Sequence, residues 1–316
     1  MTWKTSARRL LERGTGLRVT RAPGAWGRPG PVPTADADHG PVPSADADRG
    51  PVAAAARPPA DPGTDRLLRA PVFVLSAPRS GSTLLRVMLN SHSRLHAPHE
   101  THVRRLTVQW APSARQAMEA CGHNRADVEH LLWDRVLHRE LARSGKEVLV
   151  EKTPSNVAVW SRLATCWPDA RFLFLIRHPG SVARSWHEAD PAGRPWPRSV
   201  SHVRRYTEQL EEARANLPGL TVRYEDITSD PVAETRRICG FLGLPWEPAM
   251  TEYGRHDHGE FAKGMGDWRH KIRTGTVQPG RPLPGPGETP EPLRPAAEAW
   301  GYLDQPARRP PDSRGQ

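Results

Sequence analysis

The stretch Val72-Phe-Val-Leu75, continued by Ser76-Ala-Pro-Arg-Ser-Gly-Ser-Thr-Leu-Leu85, decides the fold. A short unbroken apolar run that stops at a turn is the pattern of a strand buried in a parallel sheet. The small-residue turn and the amphipathic run Thr83 to Asn90 then read as a strand-to-helix passage. Such a turn aims backbone N–H groups and the positive end of a helix at an anion. It comes close to the phosphate-cradling pattern G-x-x-x-x-G-K-[ST]: Gly81 and Thr83 fit, Ser82 stands where the lysine belongs, and Ser76 replaces the first glycine. In nucleoside triphosphatases that lysine neutralises the terminal phosphates beside Mg²⁺. Here the cation is Arg79, two residues before the glycine. That suits a nucleotide with a shorter, less charged tail and no obligatory metal.

Outward from this turn the chain alternates strand and helix signals. Glu147-Val-Leu-Val150 is a second strand, followed by a helix over 156–166. Phe172-Leu-Phe-Leu-Ile176 is a third, with a helix from Pro179 to about Trp186, proline being favoured at a first helical position. A long charged helix covers 199–215, Leu220-Thr-Val-Arg-Tyr224 is a fourth strand, and Pro231 to Leu242 is a helix closed by Gly243. Pro292 to Leu303 reads as a final docking helix. The predicted fold is α/β: a P-loop-like parallel sheet with helices on both faces.

Of the 34 prolines in 316 residues, ten lie in 1–69 and ten in 279–316, so the 209 residues between are the folded part. Residues 30–52 hold a decapeptide repeat (Gly30-Pro-Val-Pro-Thr-Ala-Asp-Ala-Asp-His39 and its successor), too polar to offset the entropy of ordering. The expected organisation is a disordered Pro/Ala/Arg-rich extension over 1–69, a domain over 70–304 and a disordered tail over 305–316, with a short basic helix over 4–20. Arg8-Arg9-Leu10-Leu11 faintly resembles a twin-arginine signal, but no apolar stretch follows it. No run is long and apolar enough to span a membrane. Three cysteines are too few for a disulfide scaffold and suit a reducing compartment, so a cytoplasmic location is expected. The net charge of +10 favours an anionic partner, yet no Lys/Arg block compels nucleic-acid binding. Only five basic residues are lysines (Lys4, Lys146, Lys152, Lys263, Lys271), so a lysine inside a motif draws notice.

The order of motifs resembles the sulfotransferases that use 3′-phosphoadenosine-5′-phosphosulfate (PAPS). Pro78-Arg-Ser-Gly-Ser-Thr-Leu-Leu85 is similar to their 5′-phosphosulfate loop. Arg177-His-Pro-Gly-Ser-Val-Ala-Arg-Ser185 matches their 3′-phosphate pattern, an arginine at a strand end and a serine eight residues on. Val222-Arg-Tyr-Glu-Asp226 resembles the segment whose tyrosine lies near the adenine, and Lys263-Gly-Met-Gly-Asp-Trp-Arg269 the late loop that closes over the nucleotide. The likeness spans about 70–303. Departures are a late loop one residue short with Ala262 where arginine is common, and Leu84 in place of an adenine-stacking tryptophan.

The resemblance implies a transferase that moves a sulfuryl group from PAPS, without a metal, to a hydroxyl or amine acceptor. Arg79, Ser80, Gly81, Ser82 and Thr83 would hold the phosphosulfate, and Arg177, Ser185, Tyr224, Lys263, Gly264 and Trp268 the rest of the nucleotide. Lys152, in Glu151-Lys-Thr-Pro154, matches the catalytic lysine, with Arg79 beside it as a second catalytic cation. Cytosolic members carry a histidine base two residues later, where this chain has Pro154. The region from Pro78 to Thr101 instead resembles the tyrosylprotein sulfotransferases, which makes Glu100 the expected base and His99 and His102 its rivals. The acceptor is expected against 101–146 and 187–205, with Trp186 and Trp196 either as aromatic walls or as chance tryptophans in a flexible polar loop. It would be a small molecule or a glycan- or lipid-linked hydroxyl, not nucleic acid, and the enzyme could form a homodimer. Rival readings are a P-loop kinase or NTPase, a nucleotide-binding protein without turnover and a basic nucleic-acid-binding protein.

Overall fold

A computed structural model describes residues 57–59, 61–259, 272 and 274–303. The decapeptide repeat, the 4–20 helix and the Lys263–Arg269 loop lie outside the described residues, as does the tail beyond 303.

Five parallel strands form one sheet: β1 (Val72–Ser76), β2 (Leu95–His96), β3 (Val148–Glu151), β4 (Arg171–Ile176) and β5 (Gly219–Arg223), in the order β2-β3-β1-β4-β5. The nine helices that matter below are α1 (Ser82–Asn90), α2 (Pro112–Ala120), α3 (Arg125–Ser144), α4 (Trp160–Cys166), α5 (Pro179–Ala189), α6 (Trp196–Asn216), α7 (Tyr224–Ser229), α8 (Pro231–Leu242) and α9 (Arg294–Ala299). The α/β parallel architecture expected from the sequence is therefore present.

β1 is fully buried, and its side chains alternate between two cores as strand geometry requires. Phe73 and Leu75 join Phe172, Phe174, Trp133 and Trp167 on one face. Val72 and Val74 join Leu173, Leu175, Val222, Leu85 and Met88 on the other. Such burial on both faces is why these strands read as continuous apolar runs.

The structure also departs from the sequence reading in places. β2, two residues long, and α2 and α3 went unread. α3 opens on a capping box between Asn124 and Asp127 and ends at Gly145, which holds a left-handed φ of 68°. The fourth strand stops at Arg223, and Tyr224 already opens α7. The final helix is shorter than expected, Arg294–Ala299, but Leu293, Ala297 and Trp300 are buried as a docked helix requires. Residues 66–68, which the sequence reading assigns to the extension, pack on the domain. Arg66 Nε donates to the Cys166 carbonyl, and Asp134 accepts from the Leu67 and Leu68 N–H groups. Among the described residues no helix is long and apolar enough to cross a membrane.

Candidate active site

β1 lies between β3 and β4, although the chain visits β2 and β3 before crossing to β4. This is a topological switch point, where open α/β sheets bind ligands at their carboxyl edge. Every motif within the described residues begins at such an edge. Ala77–Gly81 follows β1, Lys152 follows β3, Arg177 follows β4 and Tyr224 follows β5.

The turn after β1 needs unusual backbone. Arg79 and Gly81 both have positive φ, 68° and 89°. Gly81 leaves no alternative: a Cβ there would lie 2.2 Å from the Tyr224 ring. The first intrahelical bond of α1 runs from Leu85 N to Gly81 O at 3.1 Å, so the N–H groups of residues 82–84 come ahead of it and face the turn. Arg177 buttresses this geometry. Its Nη1 donates to the Arg79 carbonyl at 2.8 Å, and its guanidinium stacks on Tyr224 at 4.4 Å. Arg79 Nε in turn donates to Ser185 Oγ at 3.3 Å. The residues assigned to the two ends of the nucleotide are thus joined directly.

Arg79, Gly81, Ser82, Thr83, Arg177 and Tyr224 line one cleft together with Glu100. Ser80 is buried beneath the turn and Ser185 touches it through Arg79. Lys263, Gly264 and Trp268 lie outside the described residues. Tyr253, Ile272 and Gln278 also line the cleft, and no sequence pattern had pointed to them.

Lys152 does not line the cleft itself; it meets it through Glu100, to whose Oε1 its Nζ donates. Their side chains are 0% and 4% exposed, so the pair is shielded from solvent screening. His102 Nε2 stands 3.8 Å from Glu100 Oε2, whereas His99 is turned against Gly259. Behind Glu100 is a cation the sequence reading missed, Arg86. It is 1% exposed and donates to the Ala97 carbonyl at 3.1 Å. Burial pushes its guanidinium down to about 10, against the pull of Glu100. Among the described residues no group of three histidine, cysteine, aspartate or glutamate side chains could hold a metal ion.

One expectation about the acceptor side is corrected. Trp186 is not an aromatic wall: it is buried, stacked on His202 at 4.4 Å and capped by Arg194 at 4.2 Å. Trp196 is partly exposed and packs edge-on against His187.

The described architecture has counterparts among solved structures that share its fold. The sulfotransferase domain of the Curacin biosynthetic pathway covers 74% of this chain and 98% of its own, with TM-score 0.54 and 21% identity. That of the Synechococcus PCC 7002 olefin synthase covers 78% and 98%, with TM-score 0.57 and 23% identity. In sequence, protein-tyrosine sulfotransferase 1 of Danio rerio is 28% identical over 208 residues, 58% of this chain and 55% of that protein. The nodulation protein NoeE of Sinorhizobium fredii is 26% identical over 242 residues, 62% and 55% respectively. The chain thus spans 55% of the length of each of these two relatives. The pattern of the sulfotransferase family matches residues 71–248, more than half of the chain, and the chain belongs to that family.

Proposed function

We propose that the protein transfers a sulfuryl group from PAPS to a hydroxyl (or amine) acceptor, with Glu100 as base and Lys152 as electrophilic stabiliser. The observation that carries this reading is the ion pair between buried Lys152 and Glu100, the carboxylate that lines the same cleft as Arg79 and Gly81 of the turn. The donors along the turn suit a phosphosulfate. They are the N–H groups opening α1, the Ser82 and Thr83 hydroxyls and the Arg79 guanidinium, set around a glycine that admits no side chain. Arg177 and Ser185 would take the 3′-phosphate, and Tyr224 would sit by the adenine. PAPS itself supplies the activated sulfuryl group.

The acceptor oxygen attacks sulfur in line. Its bond to sulfur forms as the bond from sulfur to the bridging oxygen breaks, and 3′-phosphoadenosine-5′-phosphate (PAP) leaves with the electron pair. The acceptor proton passes to a Glu100 carboxylate oxygen. A carboxylate that gains a proton no longer holds the Lys152 ammonium. That cation is then available as charge grows on the bridging and sulfuryl oxygens, so its interaction is strongest in the transition state.

On this reading the acceptor is a small molecule or a glycan- or lipid-linked hydroxyl. The enzyme works in the cytoplasm, a location supported by the free thiols of Cys121, Cys166 and Cys239. The test is incubation with PAPS carrying radioactive sulfur and a fractionated metabolite extract. Label moving into one fraction is the expected result. Phosphoryl transfer from ATP with Mg²⁺, and none of sulfur, would contradict it.

A further inference from the structure

We infer that Glu151 is a positioning residue that locks the Glu100 loop onto Lys152; the inference rests on the reading of that pair as base and electrophile. Glu151 ends β3, immediately before Lys152, and is 1% exposed. Its carboxylate gathers the residues that flank both members of the pair. Oε1 accepts from Thr101 Oγ1 at 2.8 Å, from Thr101 N at 3.3 Å and from Thr153 Oγ1 at 2.6 Å. Oε2 accepts from Asn156 Nδ2. Thr153 Oγ1 also accepts from the His102 N–H at 3.3 Å. The two residues after Glu100 and the residue after Lys152 therefore share one hydrogen-bonded hub.

The chemistry of the hub explains its identity. Three donors converge on one oxygen, and a carboxylate is the acceptor-only side chain that suits them. Burying a carboxylate is costly unless its oxygens are satisfied, as they are here. Burial raises the Glu151 carboxyl above the ordinary range, and the hydrogen bonds from Thr153 and Thr101, with Lys152 alongside, oppose that shift. A strand end and a loop joined only by van der Waals contact would leave the Glu100–Lys152 distance free to vary. Misplacement by about 1 Å can cost roughly 100-fold in rate.

Glu151→Gln is the conservative variant. Its amide oxygen can take the three donors on Oε1. Its NH₂ would meet Asn156, whose Oδ1 is buried without a hydrogen-bond partner and can turn to accept. Glu151→Ala removes the hub.

The test measures sulfur transfer to the labelled extract fraction, together with PAP affinity by calorimetry, for Glu151→Ala, Glu151→Gln and each combined with Glu100→Gln. The expected result for Glu151→Ala is a kcat lower by about 10- to 100-fold at unchanged PAP affinity, with most of the loss restored in Glu151→Gln. In the Glu100→Gln background the same alanine should cost less than about threefold, because there is no longer a base to position. Equal losses in both backgrounds, or none in either, overturn the proposal. If Glu151→Ala does not fold, Thr101→Val carries the same comparison. It removes one hub bond, and a smaller loss confined to the Glu100 background is expected; equal losses in both backgrounds, or none, overturn it. If Glu100→Gln alone keeps wild-type kcat, the reading of the pair fails, and the inference about Glu151 falls with it.

Discussion

Gly81 and Tyr224 are packed so closely that a single methyl group on Gly81 would lie 2.2 Å from the tyrosine ring. The contact joins the turn after β1 to the first residue after β5, across the switch point. Gly81→Ala would meet both this clash and a φ of 89°. Strain and overpacking together should cost roughly 2–4 kcal/mol and abolish PAP binding. Thermal melts with and without PAP check this, and an alanine variant that binds PAP normally would contradict it.

Arg177 and Ser185 are expected to act at the non-reacting end of the nucleotide. Arg177→Ala and Ser185→Ala should weaken PAP affinity, the first by about 10-fold or more, as loss of a charge-assisted hydrogen bond implies. For the wild type, PAP at about 100 times its Kd should stabilise the fold by roughly 2.7 kcal/mol, and should do so in the presence of a chelator. Stabilisation by ATP with Mg²⁺ but not by PAP would favour the kinase reading.

Lys146 stands apart from the site. Its Nζ donates to three carbonyls, Asn90 at 2.7 Å, His92 at 3.0 Å and Leu95 at 2.8 Å. It thereby closes the end of α1 and the turn into β2. Lys146→Met should destabilise by about 2–4 kcal/mol, since three carbonyls lose a charged donor, while PAP affinity stays unchanged. Lys146→Arg should not fully restore stability, because a planar guanidinium cannot copy three donors radiating from one atom. Denaturant melts measure both.

Two buried histidines give the fold an acid limit. His178 Nδ1 accepts from the Ser181 N–H and caps α5, and His130 Nε2 accepts from Arg162 Nε. Both rings must be neutral at those atoms, and burial lowers each to about 4 from the usual 6.5. Between those values the unfolded chain binds protons that the folded chain does not. Stability is therefore intact above pH 6.5 and is lost as pH falls toward 4. Each ring accounts for on the order of 2 kcal/mol of the loss. The melting temperature should drop by roughly 8–16 °C from neutral pH to the acid end of that window. His130→Gln should flatten the slope, and an unaltered slope would show that this ring is not involved.

The sequence made the sheet legible wherever a strand is buried on both faces. Val72 to Leu75 and Phe172 to Ile176 are unbroken apolar runs because both sides meet a core. β2 was illegible because two residues carry no period. α3 was missed because its buried positions include Glu129, His130 and Asp134, polar side chains paired inside the fold, among them Asp134 with Trp167. The site was legible where backbone geometry demands a residue type, as at Gly81. Glu151 was not, since its role depends on a loop fifty residues earlier folding against it. Trp186 misled because an aromatic in a polar segment reads the same whether it faces an acceptor or fills a core.

The proposed roles, Glu100 taking the acceptor proton while Lys152 stabilises the developing charge, stand or fall on the kcat of Glu100→Gln. The substitution keeps the shape of the side chain and removes its basicity. With radiolabelled PAPS and the extract fraction that the wild type sulfates, kcat should fall by about 10²–10⁴ while PAP affinity is retained. A Glu100→Gln enzyme with near wild-type kcat, alongside a His102→Ala enzyme that is inactive, would overturn those roles and assign the base to the histidine that stands 3.8 Å away.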